Sequence, residues 1–216
     1  NSIMDGECPP SIVSEPLAFH SDRPGQLVLV VGPSGVGKDT LLDLARSSLS
    51  ENEQFHFAQR CITRPAEAGG ENHTEIIEEE FEKLAASNRF ALHWKAHGLS
   101  YGLPFDIIQE LDAGKCVIAN VSRNIIDDAR ELFVNVCVIN ITADPDILYQ
   151  RLEGRARESL EEIRTRLSRK TAQLSGPNVY ELPNNEKLAL SSDRFLTLIR
   201  LISLGLQERD SGFTFA

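Results

Sequence analysis

The sequence predicts an α/β fold, in which helices cover a mostly parallel sheet to give a three-layer core. Two observations predict this core. Several runs are continuously apolar and β-branched, as strands buried on both faces of a parallel sheet are. Each run is followed by a segment with helical periodicity, which is the alternation that βαβ units produce. The 216 residues are enough for one such core with a small appended lobe.

The core strands and helices can be placed by their sequence patterns. Asp144 and Pro145 mark the start of one helix, because aspartate caps helix N-termini and proline suits the first turn. The expected core strands are residues 26–31, 116–121, 134–141 and 179–182, and the expected core helices are residues 38–50, 144–151 and 193–207.

A stretch of different character interrupts the alternation and predicts an inserted lobe at about residues 55–102. Its expected elements are a strand at residues 56–62, a polar loop at 63–73, an acidic helix at 75–86 and a strand at 90–95. Residues 1–24 carry four prolines and little periodicity, so we expect a flexible N-terminal extension there.

The composition excludes several classes of function. A formal net charge of −10 repels the phosphate backbone of nucleic acids, so no nucleic-acid partner is expected. No apolar run approaches the roughly 20 residues that a membrane span needs, and no secretory signal is recognisable, which predicts a cytoplasmic protein without a membrane partner. The four cysteines, at positions 8, 61, 116 and 137, form no metal-binding pair, and we expect buried free thiols.

A glycine-rich turn between the first strand and its helix predicts nucleotide binding. It runs Gly32-Pro33-Ser34-Gly35-Val36-Gly37-Lys38 and satisfies the phosphate-loop pattern G-x-x-x-x-G-K. The glycines let backbone N–H groups converge on phosphate oxygens, and the lysine reaches the outer phosphates. Asp39 stands where the pattern expects Ser or Thr, and Thr40 follows, so both are candidate Mg²⁺ ligands and the choice between them stays open.

Basic residues concentrate between Arg151 and Lys170, where they predict a helical lid at about residues 151–170. Arg151 and Arg155 are four residues apart and would share one face of the helix that Asp144 begins. Arginines on a closing lid would neutralise a phosphoryl group in transfer and exclude water. The alternative is a solvated face whose arginines pair with the neighbouring glutamates.

These motifs together resemble the guanylate kinase family of P-loop kinases. The resemblance rests on residues 32–40, 63–71, 90–104 and 151–167, and covers nearly everything from residue 26 onward. It implies a P-loop NTPase core, ATP as phosphoryl donor and Mg²⁺ as cofactor. It also implies that Lys38, Arg155 and Arg166 are catalytic and that Arg151 lies over the adenine.

Departures from that family's pattern indicate a different acceptor. His93 stands before Trp94, where the family reads guanine with a carboxylate, whereas the phosphate-holding Arg64 is kept. His73 replaces a phosphate-binding tyrosine, and Asn120 replaces an aspartate near the acceptor and metal. The resemblance therefore implies a base-free acceptor, a small sugar bisphosphate. Its candidate ligands are Arg60, Arg64, Glu71, His73, His93, Tyr101, Asn120 and Ser122.

Two other functions fit parts of the pattern. One is a guanylate kinase with GMP as acceptor, and the other is a non-catalytic guanylate-kinase-like module that binds protein partners. Trp94 is either core of the lobe or a stacking surface, and His93 is either a substrate contact or structural. The oligomeric state stays open, with a homodimer as one alternative.

Overall fold

The computed structural model describes residues 24–66, 72–153 and 174–205. The chain divides into two compact units: unit 1 comprises Asn1–Leu27 and Glu53–Asn135, and unit 2 comprises Val28–Asn52 and Val136–Ala216. The described residues form the following elements: β1 (Gln26–Val31), α1 (Lys38–Ser48), β2 (Phe55–Phe57), β3 (Cys61–Ile62), β4 (Thr74–Glu75), α2 (Glu78–Ala86), β5 (Phe90–Ala96), β6 (Leu99–Pro104), α3 (Asp106–Asp112), β7 (Cys116–Asn120), a 3₁₀ turn (Arg123–Ile125), α4 (Ile126–Leu132), β8 (Val136–Thr142), α5 (Pro145–Glu153), β9 (Val179–Pro183) and α6 (Leu188–Ser203).

Unit 2 contains strands in the order β1, β8 and β9, of which β1 and β8 are almost entirely buried. From Val28 onward every residue of β1 has no exposed surface, as expected of a strand covered on both faces. β8 and β9 run parallel, and their pairing extends from Val138 opposite Val179 to Thr142 opposite Pro183. Parallel strands end at the same edge of a sheet, so the segments that follow β8 and β9 begin side by side.

Unit 1 contains one parallel pair of strands and a separate four-stranded sheet. β2 pairs parallel with β7, from Phe55 opposite Cys116 to Phe57 opposite Ile118. The four-stranded sheet has the order β4, β3, β6 and β5, in which β6 is antiparallel to both of its neighbours. A two-residue turn at His97 and Gly98 joins β5 to β6, and both residues have positive φ (52° and 72°), the conformation that tight hairpins favour.

Helix α2 packs on the four-stranded sheet through a small aromatic core. The rings of Phe81 on α2 and Phe90 on β5 lie 4.8 Å apart, and Cys61 joins them. The Ser100 hydroxyl donates to the Glu78 carboxylate (2.8 Å) and lowers the pKa of that group, because the hydrogen bond favours its ionised form.

The structure confirms the α/β fold with a parallel sheet and corrects several boundaries. The strand expected at 56–62 is two strands, β2 and β3, because the chain leaves β7 after Phe57 and joins the second sheet at Cys61. α2 begins at Glu78 rather than at residue 75, because Thr74 and Glu75 pair with β3. β6 and α3 were not expected, and α6 begins at Leu188, five residues before its expected start.

Some expectations lie outside the described residues. They concern the extension before Pro24, Cys8, the loop with Glu71, nearly all of the lid with Arg155 and Arg166, and the chain after Gly205. Cys61, Cys116 and Cys137 are buried free thiols, as expected, and burial raises the pKa of the Cys137 thiol to about 11. No helix among the described residues is long and apolar enough to cross a membrane.

The close approach of β6 to Phe90 gives a test of this packing. A Cβ atom at Gly102 would lie 2.6 to 2.8 Å from three carbon atoms of the Phe90 ring. We expect Gly102→Ala to lower the free energy of unfolding by about 1–3 kcal/mol, because the buried ring must move. Urea unfolding measures this loss, and Phe90→Leu provides the matched background. A penalty that is equally large in the Phe90→Leu background would contradict the steric explanation.

Candidate active site

The phosphate loop of unit 2 connects the buried end of strand β1 to a helix. β1 ends at Val31, and α1 begins at Lys38, so the six residues from Gly32 to Gly37 connect the two. Val36 anchors the loop with a side chain that is only 1% exposed. The first N–H groups of a helix have no carbonyl partner within it, so the start of α1 is suited to an anion. This strand, loop and helix arrangement is the context that the motif requires.

Two glycines of the loop sit where a side chain does not fit. A Cβ at Gly32 would lie 2.7 Å from the carbonyl oxygen of Ile141 on β8. Gly37 has φ +91°, a left-handed conformation that residues with a Cβ rarely adopt, and directly precedes α1. The glycine spacing of the motif therefore has a steric cause in this chain.

Lys38, Asp39 and Thr40 lie in the first turn of α1, as expected from the sequence. Lys38 is half-buried at the first helical position, whereas Asp39 and Thr40 are exposed in the first turn. A carboxylate and a hydroxyl are both oxygen ligands of the kind that Mg²⁺ takes, so this turn fits a metal that accompanies a phosphate. Within the described ranges, no group of three or more His, Cys, Asp or Glu side chains could itself hold a metal ion.

Arg151 contacts the phosphate loop from α5. Its Nη1 donates to the Val36 carbonyl (3.1 Å), and its Nη2 donates to the Asn184 carbonyl (2.8 Å). The expectation that Arg151 lies over the adenine stays a prediction, and the structure adds a contact to the loop backbone.

Asn184 was not singled out from the sequence. It directly follows strand β9, and polar groups after the carboxyl ends of parallel strands often serve ligand sites.

In unit 1, three of the expected acceptor ligands, Arg60, Tyr101 and Ser122, belong to one cluster of contacts around Trp94. The Trp94 and Tyr101 rings stack with centroids 5.5 Å apart and planes 4° apart. The Arg60 guanidinium lies 4.9 Å from the centre of the Tyr101 ring, within the range of a cation–π contact. The indole Nε1 of Trp94 donates to the Ser122 hydroxyl (3.0 Å). Trp94 is only 6% exposed, so it is core of the unit rather than an open stacking surface.

Arg64 and His73 are joined by a second contact in unit 1. The Nε2 atom of His73 lies 2.8 Å from the backbone carbonyl of Arg64, and a carbonyl only accepts, so Nε2 carries the proton. His73 is buried, whereas the Arg64 side chain is half-buried. The buried imidazole therefore fixes the backbone at Arg64.

The structure also places His93 and Asn120, two further candidate acceptor ligands. The exposed His93 ring is 6.3 Å from both Phe81 and Phe90, and successive strand residues face opposite sides, so His93 faces away from Trp94. Asn120 ends β7 and is 8% exposed. The roles proposed for Glu71, Arg155 and Arg166 concern residues that the structure does not describe.

Comparison with known proteins identifies the relatives of this chain. The family model described as guanylate kinase matches residues 24–186. Ribose 1,5-bisphosphate phosphokinase PhnN of Brucella melitensis biotype 2 is 46% identical over 180 residues, which cover 82% of this chain and 94% of the relative. The protein of the same name from Agrobacterium fabrum is 46% identical over 150 residues, which cover 69% of this chain and 82% of the relative.

A solved structure supports the same fold. The guanylate kinase of Anaplasma phagocytophilum superposes with a TM-score of 0.59, covering 86% of this chain and 91% of that one. Its sequence identity is 19%, so the likeness concerns the fold alone.

The conformation of Gly37 gives a test of the phosphate loop. A Cβ there would lie 2.7 Å from the Asn184 side-chain nitrogen and would add the strain of a positive φ. We expect Gly37→Ala to weaken ATP binding by about tenfold or more, measured by calorimetric titration. Gly98→Ala is the matched control, because Gly98 also has positive φ (+72°) but a Cβ there has nothing within 4 Å. Equal ATP affinity of the two variants would contradict the assignment.

Proposed function

Since the chain belongs to the guanylate kinase family and, within it, to the ribose 1,5-bisphosphate phosphokinases, we propose that it phosphorylates ribose 1,5-bisphosphate with ATP. The γ-phosphoryl group passes to the 1-phosphate, and the products are 5-phosphoribosyl 1-diphosphate and ADP. The observation that carries this proposal is the 46% identity to a relative of that name over 94% of its length.

Unit 2 supplies the ATP side of the reaction. The loop from Gly32 to Lys38 directs N–H groups and an ammonium toward the phosphates, and Arg151 holds the loop backbone at Val36. The exposed carboxylate of Asp39 and hydroxyl of Thr40 would hold Mg²⁺. When bound, Mg²⁺ neutralises charge on the phosphate oxygens.

Unit 1 supplies the acceptor side. Arg64 would bind an acceptor phosphate with a backbone that His73 keeps in place. Tyr101 would contribute its hydroxyl, because its ring is already engaged by Trp94 and Arg60. With these rings packed against each other, they offer little aromatic surface to a nucleobase, which favours a sugar bisphosphate over GMP. Asn120, Ser122, Glu71 and His93 remain proposed ligands of the sugar or its phosphates.

The reaction needs charge neutralisation rather than a general base. A phosphate monoester has its second pKa at about 6, so the 1-phosphate is already a dianion near neutral pH. One of its oxygens forms the new bond to the γ-phosphorus as the bond to the β,γ-bridging oxygen breaks, and ADP leaves without any proton transfer. The amide of Asn120, which cannot act as a base, is compatible with this chemistry. Lys38, Arg155 and Arg166 would stabilise the charge on the transferred group.

The location and the partners expected from the sequence agree with such a reaction. We propose a cytoplasmic enzyme that acts on small anions and has no nucleic-acid partner, because a net charge of −10 opposes binding to a polyanion. Small anionic substrates would instead be held by local basic side chains.

A paired rate assay tests the acceptor. We expect ADP release from Mg·ATP to accelerate with ribose 1,5-bisphosphate and to stay at the background rate with GMP at the same concentration. A coupled assay of ADP formation measures both. Turnover of GMP alone would identify a guanylate kinase, and silence with both acceptors would favour the binding module.

Arg64→Ala tests the proposal that unit 1 binds the acceptor and unit 2 binds ATP. The hydrogen bond from His73 goes to the Arg64 backbone, so the substitution leaves it in place. We expect the KM for ribose 1,5-bisphosphate to rise about 10- to 100-fold, the effect of losing a contact to a charged group, with the KM for ATP nearly unchanged. Arg46→Ala is the matched control, because Arg46 lies on the surface of α1 and pairs with Asp43. An equal rise of both KM values in Arg64→Ala would refute the division.

A further inference from the structure

Asn184 makes a buried contact to the phosphate loop across 148 positions of sequence. Its side-chain Nδ2 donates to the Val36 carbonyl (2.8 Å), and the residue is 4% exposed. Its own backbone N–H donates to the Thr142 carbonyl (2.7 Å), one step beyond the pairing of β8 and β9. The amide is therefore held by the sheet and reaches the loop from a fixed position.

The Val36 carbonyl receives two donors, the amide of Asn184 and the Nη1 of Arg151. Arg151 also donates to the Asn184 carbonyl (2.8 Å), which closes a ring of three hydrogen bonds among Val36, Arg151 and Asn184. All three residues belong to unit 2. A carbonyl oxygen has two lone pairs, so the two donors use its capacity fully.

Holding this carbonyl also fixes the N–H of the next residue. The structure contains no cis peptide bond among the described residues, and in a planar trans peptide the C=O and N–H point in opposite directions. With the Val36 oxygen turned toward Asn184 and Arg151, the Gly37 N–H is turned away from them. The positive φ of Gly37 (+91°) lets the chain continue from this peptide into α1. Glycine is flexible, so without the two donors this peptide could rotate.

We infer that Asn184 is a positioning residue for phosphate binding, which keeps the Val36–Gly37 peptide in the orientation that presents its N–H to the nucleotide. The inference rests on the proposed ATP-binding function of the loop. Asn184 acts through the peptide and need not touch the nucleotide. A side-chain amide suits this role because it donates a hydrogen bond without adding a charge beside Arg151.

The test compares two buried asparagines of unit 2. Asn140 is 5% exposed and its Nδ2 donates to the Glu181 carboxylate (2.8 Å), so Asn140→Ala removes a buried amide of the same kind that binds the neighbouring strand β9. Calorimetric titration of each protein with Mg·ADP measures affinity without turnover. We expect Asn184→Ala to raise the Kd by about tenfold, whereas Asn140→Ala changes it by less than about twofold.

Kinetics provide a second readout that a general loss of stability would not reproduce. We expect the KM for ATP to rise in Asn184→Ala, with the KM for ribose 1,5-bisphosphate within about twofold of wild type. Asn184→Asp keeps the size of the side chain but offers a carboxylate oxygen where the amide donor was. It should bind Mg·ADP at least as weakly as Asn184→Ala, and it serves as the test if the alanine variant does not fold.

The outcomes separate this inference from the function on which it rests. Wild-type protein that does not bind Mg·ADP would overturn the proposed function. Wild-type binding together with an unchanged Kd in Asn184→Ala or Asn184→Asp would overturn the inference alone. An equal rise of Kd in Asn184→Ala and Asn140→Ala would also overturn it, because the effect would then follow from stability.

Discussion

The orientation of one short stretch of backbone is the constraint on which the nucleotide side of this protein depends. A loop that binds phosphate through N–H groups must keep its carbonyl oxygens turned elsewhere, and each of them needs a donor when buried. At Val36 the donors come from Asn184 after β9 and from Arg151 on α5. The buried end of strand β1 fixes where the loop begins, and α1 fixes where it ends. The hydrogen bonds from Asn184 and Arg151 thus satisfy the Val36 carbonyl and also hold the loop in shape for phosphate.

Unit 1 follows a different principle, in which aromatic packing places charged and polar groups. Trp94 stacks on Tyr101 and binds Ser122, while Arg60 lies over the Tyr101 ring. Buried aromatic side chains have few rotamers, so groups attached to them are held at little further cost in entropy. An acceptor with two phosphates presents charge rather than an aromatic face. The packed rings of unit 1 are therefore compatible with the proposal that this unit holds such an acceptor.

Local patterns predicted the strand and the helix on either side of the phosphate loop. The loop from Gly32 to Lys38 and the elements on either side of it follow from residues adjacent in sequence, and the structure places them as expected. The contact of Asn184 to Val36 could not be predicted in this way, because it depends on how β9 pairs with β8 and spans 148 positions.

The lobe was harder to predict because its first two strands, β2 and β3, belong to different sheets. The sequence at residues 56–62 does not show that Phe57 pairs with β7 whereas Cys61 pairs with β6. β6 was missed because its glycine and proline weaken the strand pattern, although Gly102 is needed there for the close approach of Phe90. The direction of the His93 side chain was also not predicted. The alternation of β5 turns it toward Phe81 and away from Trp94.

Phosphorus NMR of the reaction products tests the central claim most directly. With ATP and ribose 1,5-bisphosphate, the account predicts a sugar product with two mutually coupled diphosphate resonances at position 1, while the 5-phosphate stays a monoester. A diphosphate at position 5, or conversion of ATP to ADP and inorganic phosphate alone, would contradict it.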